Sequence, residues 1–123
     1  MWVDVDLSVP QRVRVYQGRR LVRSMVASAG APGSETPLGL YYLQDRGLRF
    51  YSYRYRQGAL YWVRFYGNYL FHSVPVDQQG RVLEEELARL GLPASHGCIR
   101  LYPEDAEWFY RNVPEGTPVL IHR

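Results

Sequence analysis

Apolar and polar residues alternate along most of residues 1–72, in short runs that turn residues separate. A period of two places every second side chain on the same face of a strand, so this pattern is typical of half-buried β-strands. The runs are rich in Val, Tyr, Phe and Trp, and pairs such as Gln57-Gly58 lie between them. The short connections favour antiparallel hairpins over helical crossovers. The predicted strands are Trp2–Leu7, Arg12–Tyr16, Leu21–Ser28, Gly39–Leu43, Leu48–Arg56, Leu60–Tyr66 and Tyr69–His72.

The second half of the chain changes to helical spacing. Leucines at positions 83, 87 and 90 recur at i, i+4 and i+7, and Gly91 follows as a stop signal, which predicts a helix over Arg81–Leu90. Its acidic run, residues 84–86, suits the positive end of the helix dipole, and we interpret it as a solvated helix face.

A second helix is predicted to begin at Pro103, because proline is tolerated at the first helical position. Pro114–Gly116 ends this helix, and Pro118–His122 predicts a last strand. The apolar stripe of the helix is formed by Ala106, Phe109, Tyr110 and Val113.

Composition narrows the class of protein. A chain of 123 residues that is 46% hydrophobic and 22% charged is typical of one globular domain. No apolar run approaches the roughly 20 residues that span a bilayer. The opening MWVDVDLSVPQR alternates Val with Asp, unlike a secretory signal peptide, so we expect either a cytoplasmic protein or a mature form. All 15 basic residues are Arg, which excludes chemistry that depends on Lys.

The distribution of charge leaves a nucleic-acid interpretation open. Residues 1–64 carry ten Arg and four acids, a net charge of +6, whereas residues 65–123 carry five Arg and eight acids, a net charge of −3. The predicted strand Leu48–Arg56 places three tyrosines on one face beside arginines, which could form a platform for bases. A half-buried sheet face is the favoured interpretation of this stripe. The residues concerned are Tyr51, Tyr53, Tyr55, Arg49, Arg54 and Arg56.

The segment Ser95–Arg100 carries the clearest chemistry. It holds the single cysteine, Cys98, which can form no internal disulfide and no cysteine-based zinc site. Gly97 allows a tight turn whose N–H groups could hold an anion, as an oxyanion hole requires. A thiol becomes a good nucleophile only as the thiolate, which needs a nearby imidazole or another electropositive group.

Three histidines could supply the imidazole. His96 lies two residues before the cysteine, and His72 ends a predicted strand 26 positions before it, so the fold would have to bring the latter close. We expect no role for His122 near the C-terminus. From the residues alone, a structural thiol and a catalytic Cys–His pair both remain possible.

The block Ser95-His96-Gly97-Cys98-Ile99-Arg100-Leu101 resembles the signature of the L,D-transpeptidase catalytic domain, also called the YkuD domain, in which an upstream His precedes a Ser/Thr-His-Gly-Cys block. The resemblance implies a single domain over residues 1–123, mainly β, with an antiparallel sandwich or barrel-like sheet and one or two short helices in its C-terminal half. The 22 residues between His72 and Ser95 exceed the usual spacing, and the predicted helix fills the difference. Matching segments in the same order are Asp6–Ser8, Gln11–Val13, Tyr16–Gly18, Ser28–Gly30, Thr36–Gly39, Asp105–Glu107 and Gly116–Val119.

The resemblance implies a catalytic role for four residues. Cys98 would be the nucleophile, and His72 the general base that takes its proton. The backbone carbonyl of Ser73 would orient the imidazole, where other triads use Asp or Asn. The backbone N–H groups of Gly97 and Cys98 would hold the oxyanion.

Three further residues are implied in support. His96 would be a fifth catalytic residue that supports the turn and the substrate, and Ser95 would support the same turn and bind the substrate. Arg100 would face the substrate, because a guanidinium suits a peptide carboxylate.

The implied reaction joins peptidoglycan stem peptides. Cys98 would attack the bond before a terminal D-alanine, release that residue as a thioester forms, and pass the acyl group to an amine of a second stem. No metal or organic cofactor is implied, and neither is a nucleic-acid partner. A monomer in the periplasm or another extracytoplasmic part of the cell envelope is expected, with no membrane span in this chain.

Three alternatives stay open. Water in place of the amine would make the protein an L,D-carboxypeptidase with the same site. An inactive module that binds the cell wall is also possible, although the presence of Cys98 and His72 argues against it. The nucleic-acid-binding β domain is the third, and its binding would weaken steeply with salt.

Overall fold

Nine strands form one sheet in the order β4-β9-β1-β2-β3-β8-β7-β6-β5 in this computed structural model, which describes all residues 1–123. The mainly β class is confirmed, in the form of a curled sheet. The strands are β1 (Trp2–Asp6), β2 (Arg12–Gln17), β3 (Arg20–Ser28), β4 (Gly39–Tyr42), β5 (Arg46–Ser52), β6 (Gln57–Tyr66), β7 (Tyr69–Ser73), β8 (Ile99–Leu101) and β9 (Pro118–His122). The helices are α1 (Glu84–Leu87) and α2 (Pro103–Asn112).

Two antiparallel meanders, β1-β2-β3 and β5-β6-β7, make up most of the sheet, as the short connections predict. Two pairs are parallel instead: β1 with β9, and β7 with β8. Strand β8 joins the meanders, because it also pairs with β3 in the antiparallel sense. Antiparallel pairs nevertheless predominate, as expected, whereas β8 was not predicted.

The curl of the sheet is closed by the link between β4 and β5. The N–H of Gln44 donates to the carbonyl of Arg64 at 2.8 Å, and the N–H of Arg64 donates to the carbonyl of Asp45 at 3.0 Å. These bonds hold the link against β6, so the inward faces of both meanders share one core.

Helix α2 packs under β7 and β8 and supports the strands that carry the candidate site. Ala106 and Phe109 are its buried residues, as the apolar stripe predicts. The ring of Phe109 stacks on that of Phe71 in β7, with ring centroids 4.5 Å apart. Burial of each ring stabilises the fold by about 1.5–3 kcal/mol. Neither helix has the length and apolar character that a bilayer crossing demands.

Helix α1 is shorter than the predicted helix Arg81–Leu90: it makes a single turn with no buried residue. The residues before it are held in extended form, because Val82 forms an isolated bridge with Val76. The N–H of Leu83 then donates to the carbonyl of Pro75 at 3.0 Å. Tertiary hydrogen bonds thus replace the first helical turn that the leucine spacing predicts.

The predicted strand Leu48–Arg56 also ends early, because β5 stops at Ser52 and residues 53–56 form the turn of the β5–β6 hairpin. Arg56 adopts a positive φ of 53°, which closes this turn. Tyr53 is 78% exposed and Tyr55 is 44% exposed. The expected half-buried tyrosine face is therefore wrong for these two residues, which lie outside the strand.

Candidate active site

The parallel pairing of β7 and β8 brings the two halves of the site together. His72 is the partner of Arg100 across this pair. Cys98 lies in the bend just before β8, two residues ahead of Arg100. All three residues line one open cavity of about 690 Å³. The 26 positions that separate the imidazole from the thiol along the chain are thus closed by one strand pair.

The imidazole of His72 is held in one tautomer. Its Nδ1 lies 2.5 Å from the carbonyl oxygen of Ser73, and since that oxygen can only accept, Nδ1 carries the proton. Nε2 is then left as an acceptor. Burial lowers the pKa of His72 to about 4, against a smaller opposing effect of the Ser73 carbonyl. The ring is therefore a neutral base at neutral pH.

Ser73 is itself fixed from both sides. Its Oγ accepts the N–H of Leu60 at 2.9 Å and donates to the carbonyl of Val74 at 2.9 Å. These bonds tie the end of β7 to β6, so the carbonyl that orients the imidazole has little freedom to move.

The thiol of Cys98 is half-buried and hydrogen-bonded. Its Sγ donates to the carbonyl of Asn68 at 3.6 Å and not to the imidazole. Burial raises the pKa of Cys98, whereas the N–H of Leu70 and the charge of Arg100 lower it to a smaller extent. The sulfur thus rests as a thiol, and a neutral base nearby is needed to take its proton.

The turn before β8 is shaped by Ser95 and Gly97. Ser95 Oγ accepts the N–H of Gly97 at 3.0 Å and donates to the carbonyl of Cys98 at 2.5 Å. Gly97 has a φ of +126°, and a Cβ there would lie 2.5 Å from the ring of Tyr69. The N–H of Gly97, which was predicted to hold an oxyanion, is therefore already bonded within the turn. The N–H of Cys98 has no such partner in the turn.

Thr36 supports the same turn from another part of the chain. Its Oγ1 donates to the carbonyl of Gly97 at 2.7 Å and accepts the N–H of Gly30 at 2.9 Å. Thr36 belongs to one of the segments that carry the family resemblance, although no role was predicted for it.

His96 lies at the rim of the cavity, exposed to solvent. Its ring stacks on that of Tyr55 from the hairpin turn, with centroids 4.1 Å apart and planes inclined by 16°. The hairpin thus reaches the loop that carries the cysteine. Nothing in the sequence indicates this contact, because 41 positions separate the two residues.

Arg100 is buried, with a side chain that is only 4% exposed, and its Nη1 lies 2.7 Å from Oε2 of Glu86. The interpretation of residues 84–86 as a solvated face holds for Glu84 and Glu85, which are exposed, and is wrong for Glu86. The guanidinium of Arg100 was predicted to bind a carboxylate of the substrate. In the structure it binds the carboxylate of Glu86 in α1. The role of Arg100 in substrate binding stays a prediction.

His122 lies away from the cavity. Its Nε2 contacts Oδ1 of Asp4 at 2.7 Å, on the side of the sheet where β9 meets β1. The described residues contain no group of three or more His, Cys, Asp or Glu arranged to hold a metal ion.

Comparison with known proteins finds similar sequences over nearly the whole chain. A family model described as the L,D-transpeptidase catalytic domain matches residues 1–121. The chain is similar to the putative L,D-transpeptidase YciB of Bacillus subtilis, with 40% identity over 127 residues, covering 98% of this chain and 65% of that protein.

Two solved structures share the fold. An L,D-transpeptidase from Mycobacterium tuberculosis H37Rv has a TM-score of 0.73 and 30% identity, covering 98% of this chain and 57% of that one. An LD transpeptidase in complex with imipenem has a TM-score of 0.80 and 22% identity, covering 98% of this chain and 58% of that one. The chain thus spans less than two thirds of the length of these relatives.

Proposed function

Because this chain belongs to the L,D-transpeptidase catalytic domain family, we propose that it transfers acyl groups between peptidoglycan stem peptides through a thioester on Cys98. The observation that supports this most directly is that a neutral imidazole, on the paired strand β7, and the single thiol, just before β8, line one open cavity. A nucleophile next to a base that a third group orients is the arrangement that covalent acyl transfer needs.

The first half of the proposed reaction forms the thioester. The sulfur of Cys98 attacks the carbonyl carbon before the terminal D-alanine, and Nε2 of His72 takes the thiol proton. The backbone N–H of Cys98 holds the negative oxygen of the tetrahedral intermediate. When the intermediate collapses, the carbon–nitrogen bond breaks and the imidazolium returns its proton to the departing amine of D-alanine.

The second half uses the same groups in reverse. An amine of a second stem attacks the thioester carbon, and Nε2 of His72 accepts a proton from that amine. The carbon–sulfur bond then breaks, and the sulfur regains a proton from the imidazolium. Water in place of the amine gives an L,D-carboxypeptidase, which is the alternative that the same site supports.

The remaining site residues have supporting roles in this proposal. Ser95 and Gly97 shape the turn. The N–H of Gly97 donates to Ser95 Oγ, so it can bind an oxyanion only if that hydrogen bond breaks. His96 and the stacked Tyr55 form the rim along which a stem would lie.

The charge of the cavity supports an anionic ligand. Its lining includes Arg54, Arg64 and Arg100 and no acidic residue. Arg64 binds Asp45 at 2.7 Å and Arg100 binds Glu86 at 2.7 Å, whereas Arg54 has no ion pair. A peptide that ends in a carboxylate is attracted to such a surface.

Mass spectrometry after incubation with a carbapenem tests the nucleophile. We expect one covalent adduct on the native protein and none on Cys98→Ala, because acylation needs the sulfur. The matched control is His122→Ala, which removes a histidine outside the cavity and leaves the adduct in place. An adduct on Cys98→Ala would refute the assignment.

A tetrapeptide stem, with and without an amine acceptor, separates the two reactions. A cross-linked product that appears only with the acceptor supports transfer, and a trimmed tripeptide as the sole product supports the carboxypeptidase. Stem peptides that stay intact in both assays, together with salt-sensitive binding to RNA, would favour the nucleic-acid alternative.

The proposed substrate also sets the proposed location. Peptidoglycan lies outside the cytoplasmic membrane, so the protein would work in the cell envelope, and we propose that it does so as a monomer. Cell fractionation and light scattering test these two points.

A further inference from the structure

Arg100, the strand partner of His72, forms an ion pair with Glu86 next to the proposed reacting groups. The side chains of Arg100 and Glu86 are 4% and 11% exposed. A buried guanidinium without a counter-charge is strongly unfavourable, so the carboxylate of Glu86 allows Arg100 to lie at this depth.

Arg100 acts on both members of the proposed pair. It is the strand partner of His72, and it lines the same cavity as Cys98. Its positive charge lowers the pKa of His72 and the pKa of Cys98, in each case as a smaller effect than burial. A cation at this place favours the thiolate and disfavours the imidazolium. An unbalanced positive charge on Arg100 would therefore help Cys98 to lose its proton and hinder His72 from gaining it.

We propose that Glu86 is a positioning residue, which holds Arg100 beside Cys98 and His72 and balances its charge. This inference rests on the proposed function only in taking these two residues as the reacting pair. While Glu86 neutralises Arg100, the imidazole of His72 can take the proton of the Cys98 sulfur with no unpaired positive charge next to it.

Glu86 also connects the ion pair to the entrance of the cavity. Its Oε1 accepts a hydrogen bond from Nε2 of Gln57 at 3.4 Å, and Gln57 begins β6 at the base of the hairpin. Nη1 of Arg89 lies 3.9 Å from the same oxygen, on a side chain that is 56% exposed. One carboxylate therefore joins α1, β6 and β8.

The sign of the effect follows from the charged and titratable groups around the pair. Glu86 is the only acid bound to Arg100, and the cavity lining contains no acid at all. Its removal therefore makes the surroundings of the thiol more positive. The groups that face this region are Glu86 of α1, Arg89 two residues after α1, His72 of β7, His96 and Cys98 of the turn, Arg64 of β6 and Arg54 of the hairpin.

Alkylation of Cys98 by iodoacetamide as a function of pH tests the proposal. The chain has one cysteine, so the rate reports on that sulfur alone. We expect Glu86→Gln, which keeps the shape of the side chain, to shift the midpoint of the pH profile down by about one unit. The matched control is Glu85→Gln, which removes the same charge from an exposed position of α1 and leaves the midpoint in place.

An unshifted or raised midpoint in folded Glu86→Gln would overturn the proposal. Arg100→Gln provides a second variant with the opposite sign: loss of the cation raises the midpoint, and an unchanged or lowered midpoint also counts against the proposal. Alkylation does not depend on stem peptides. A shifted midpoint in a protein without transfer activity would therefore disprove the proposed function and keep this inference.

A stem-peptide assay adds a kinetic test. Glu86→Gln should lower kcat about tenfold, because Arg100 is no longer held in place beside Cys98 and His72, and leave KM unchanged. A fall in KM with kcat preserved would mean that the freed Arg100 binds the substrate carboxylate, which contradicts a positioning role.

Discussion

The β7–β8 wall of the cavity differs from the β5–β6 hairpin rim in how firmly its side chains are held. On the wall, His72, Ser73 and Arg100 are buried and each makes a defined hydrogen bond. On the rim, Tyr53 and Tyr55 are exposed and lie in a turn. Groups that exchange protons need fixed geometry, whereas groups that meet varied ligands tolerate exposure. We therefore expect changes in the wall to affect the chemical step and changes in the rim to affect binding.

Replacement of His72 is expected to have the largest effect. His72→Ala should slow acylation of Cys98 by a carbapenem about 10²–10⁴-fold, because the base that takes the thiol proton is lost. Stopped-flow or mass-spectrometric time courses measure this rate. His96→Ala on the rim is the control and should retain most of it. Equal rates in His72→Ala and the native protein would transfer the role of base to His96.

The free energy of unfolding should fall in mild acid because His72 is buried as a neutral imidazole. The pKa of His72 is lowered from 6.5 to about 4 in the folded protein, so the unfolded chain binds its proton first as the pH falls. The contribution of neutral His72 to the free energy of unfolding is about 3 kcal/mol. It is fully present above pH 6.5 and is lost progressively as the pH falls from 6.5 to about 4.

Urea unfolding at several pH values measures this slope, and His72→Gln should flatten it. Identical slopes in native protein and His72→Gln would show that His72 titrates near its ordinary pKa in the folded state.

Gly97→Ala should destabilise the turn by about 1–3 kcal/mol, since a φ of +126° is strained for alanine. Its Cβ would also meet the ring of Tyr69 at 2.5 Å. Thermal unfolding gives the stability, and acylation of Cys98 should slow with it. Gly67→Ala, a glycine with positive φ and open space around it, serves as the comparison. A Gly97→Ala protein as stable and as reactive as the native one would contradict the packing described.

The smallest change is expected on the rim. Tyr55→Ala removes the stack on His96, a contact of about 0.5–1.5 kcal/mol, and should raise KM for a stem severalfold with kcat and stability nearly unchanged. Steady-state kinetics with a tetrapeptide donor measure both constants, with Tyr53→Ala as the exposed control. A loss of kcat equal to that of His72→Ala would remove the distinction between wall and rim.

Local patterns were sufficient where a contact lies within a few residues or repeats with a simple period. The alternation of residues 1–72 located most strands, and the block around Cys98 identified the family that the comparisons confirm. The period of two failed at Tyr53 and Tyr55, because the hairpin turn was not marked by a strong turn residue between Ser52 and Gln57.

Longer-range features could not be found in this way. The three-residue strand β8 is too short to show a period, and it exists because β3 and β7 flank it. Glu86 looked like its two acidic neighbours, and only the burial of Arg100 distinguishes it. The length of α1 was also overestimated, since the bridge between Val76 and Val82 competes with helical hydrogen bonds.

Residue identity alone determined which groups are available for chemistry: one thiol, three imidazoles, no amine of Lys, and a Gly in the turn before Cys98. The tertiary structure decided which of them meet. Parallel pairing brought His72 and the bend that carries Cys98 to one cavity, burial kept the imidazole neutral, and an acid from α1 bound the guanidinium of Arg100. The physical reason is that burial and electrostatic interaction depend on distance in space, which chain spacing does not set until the sheet has closed.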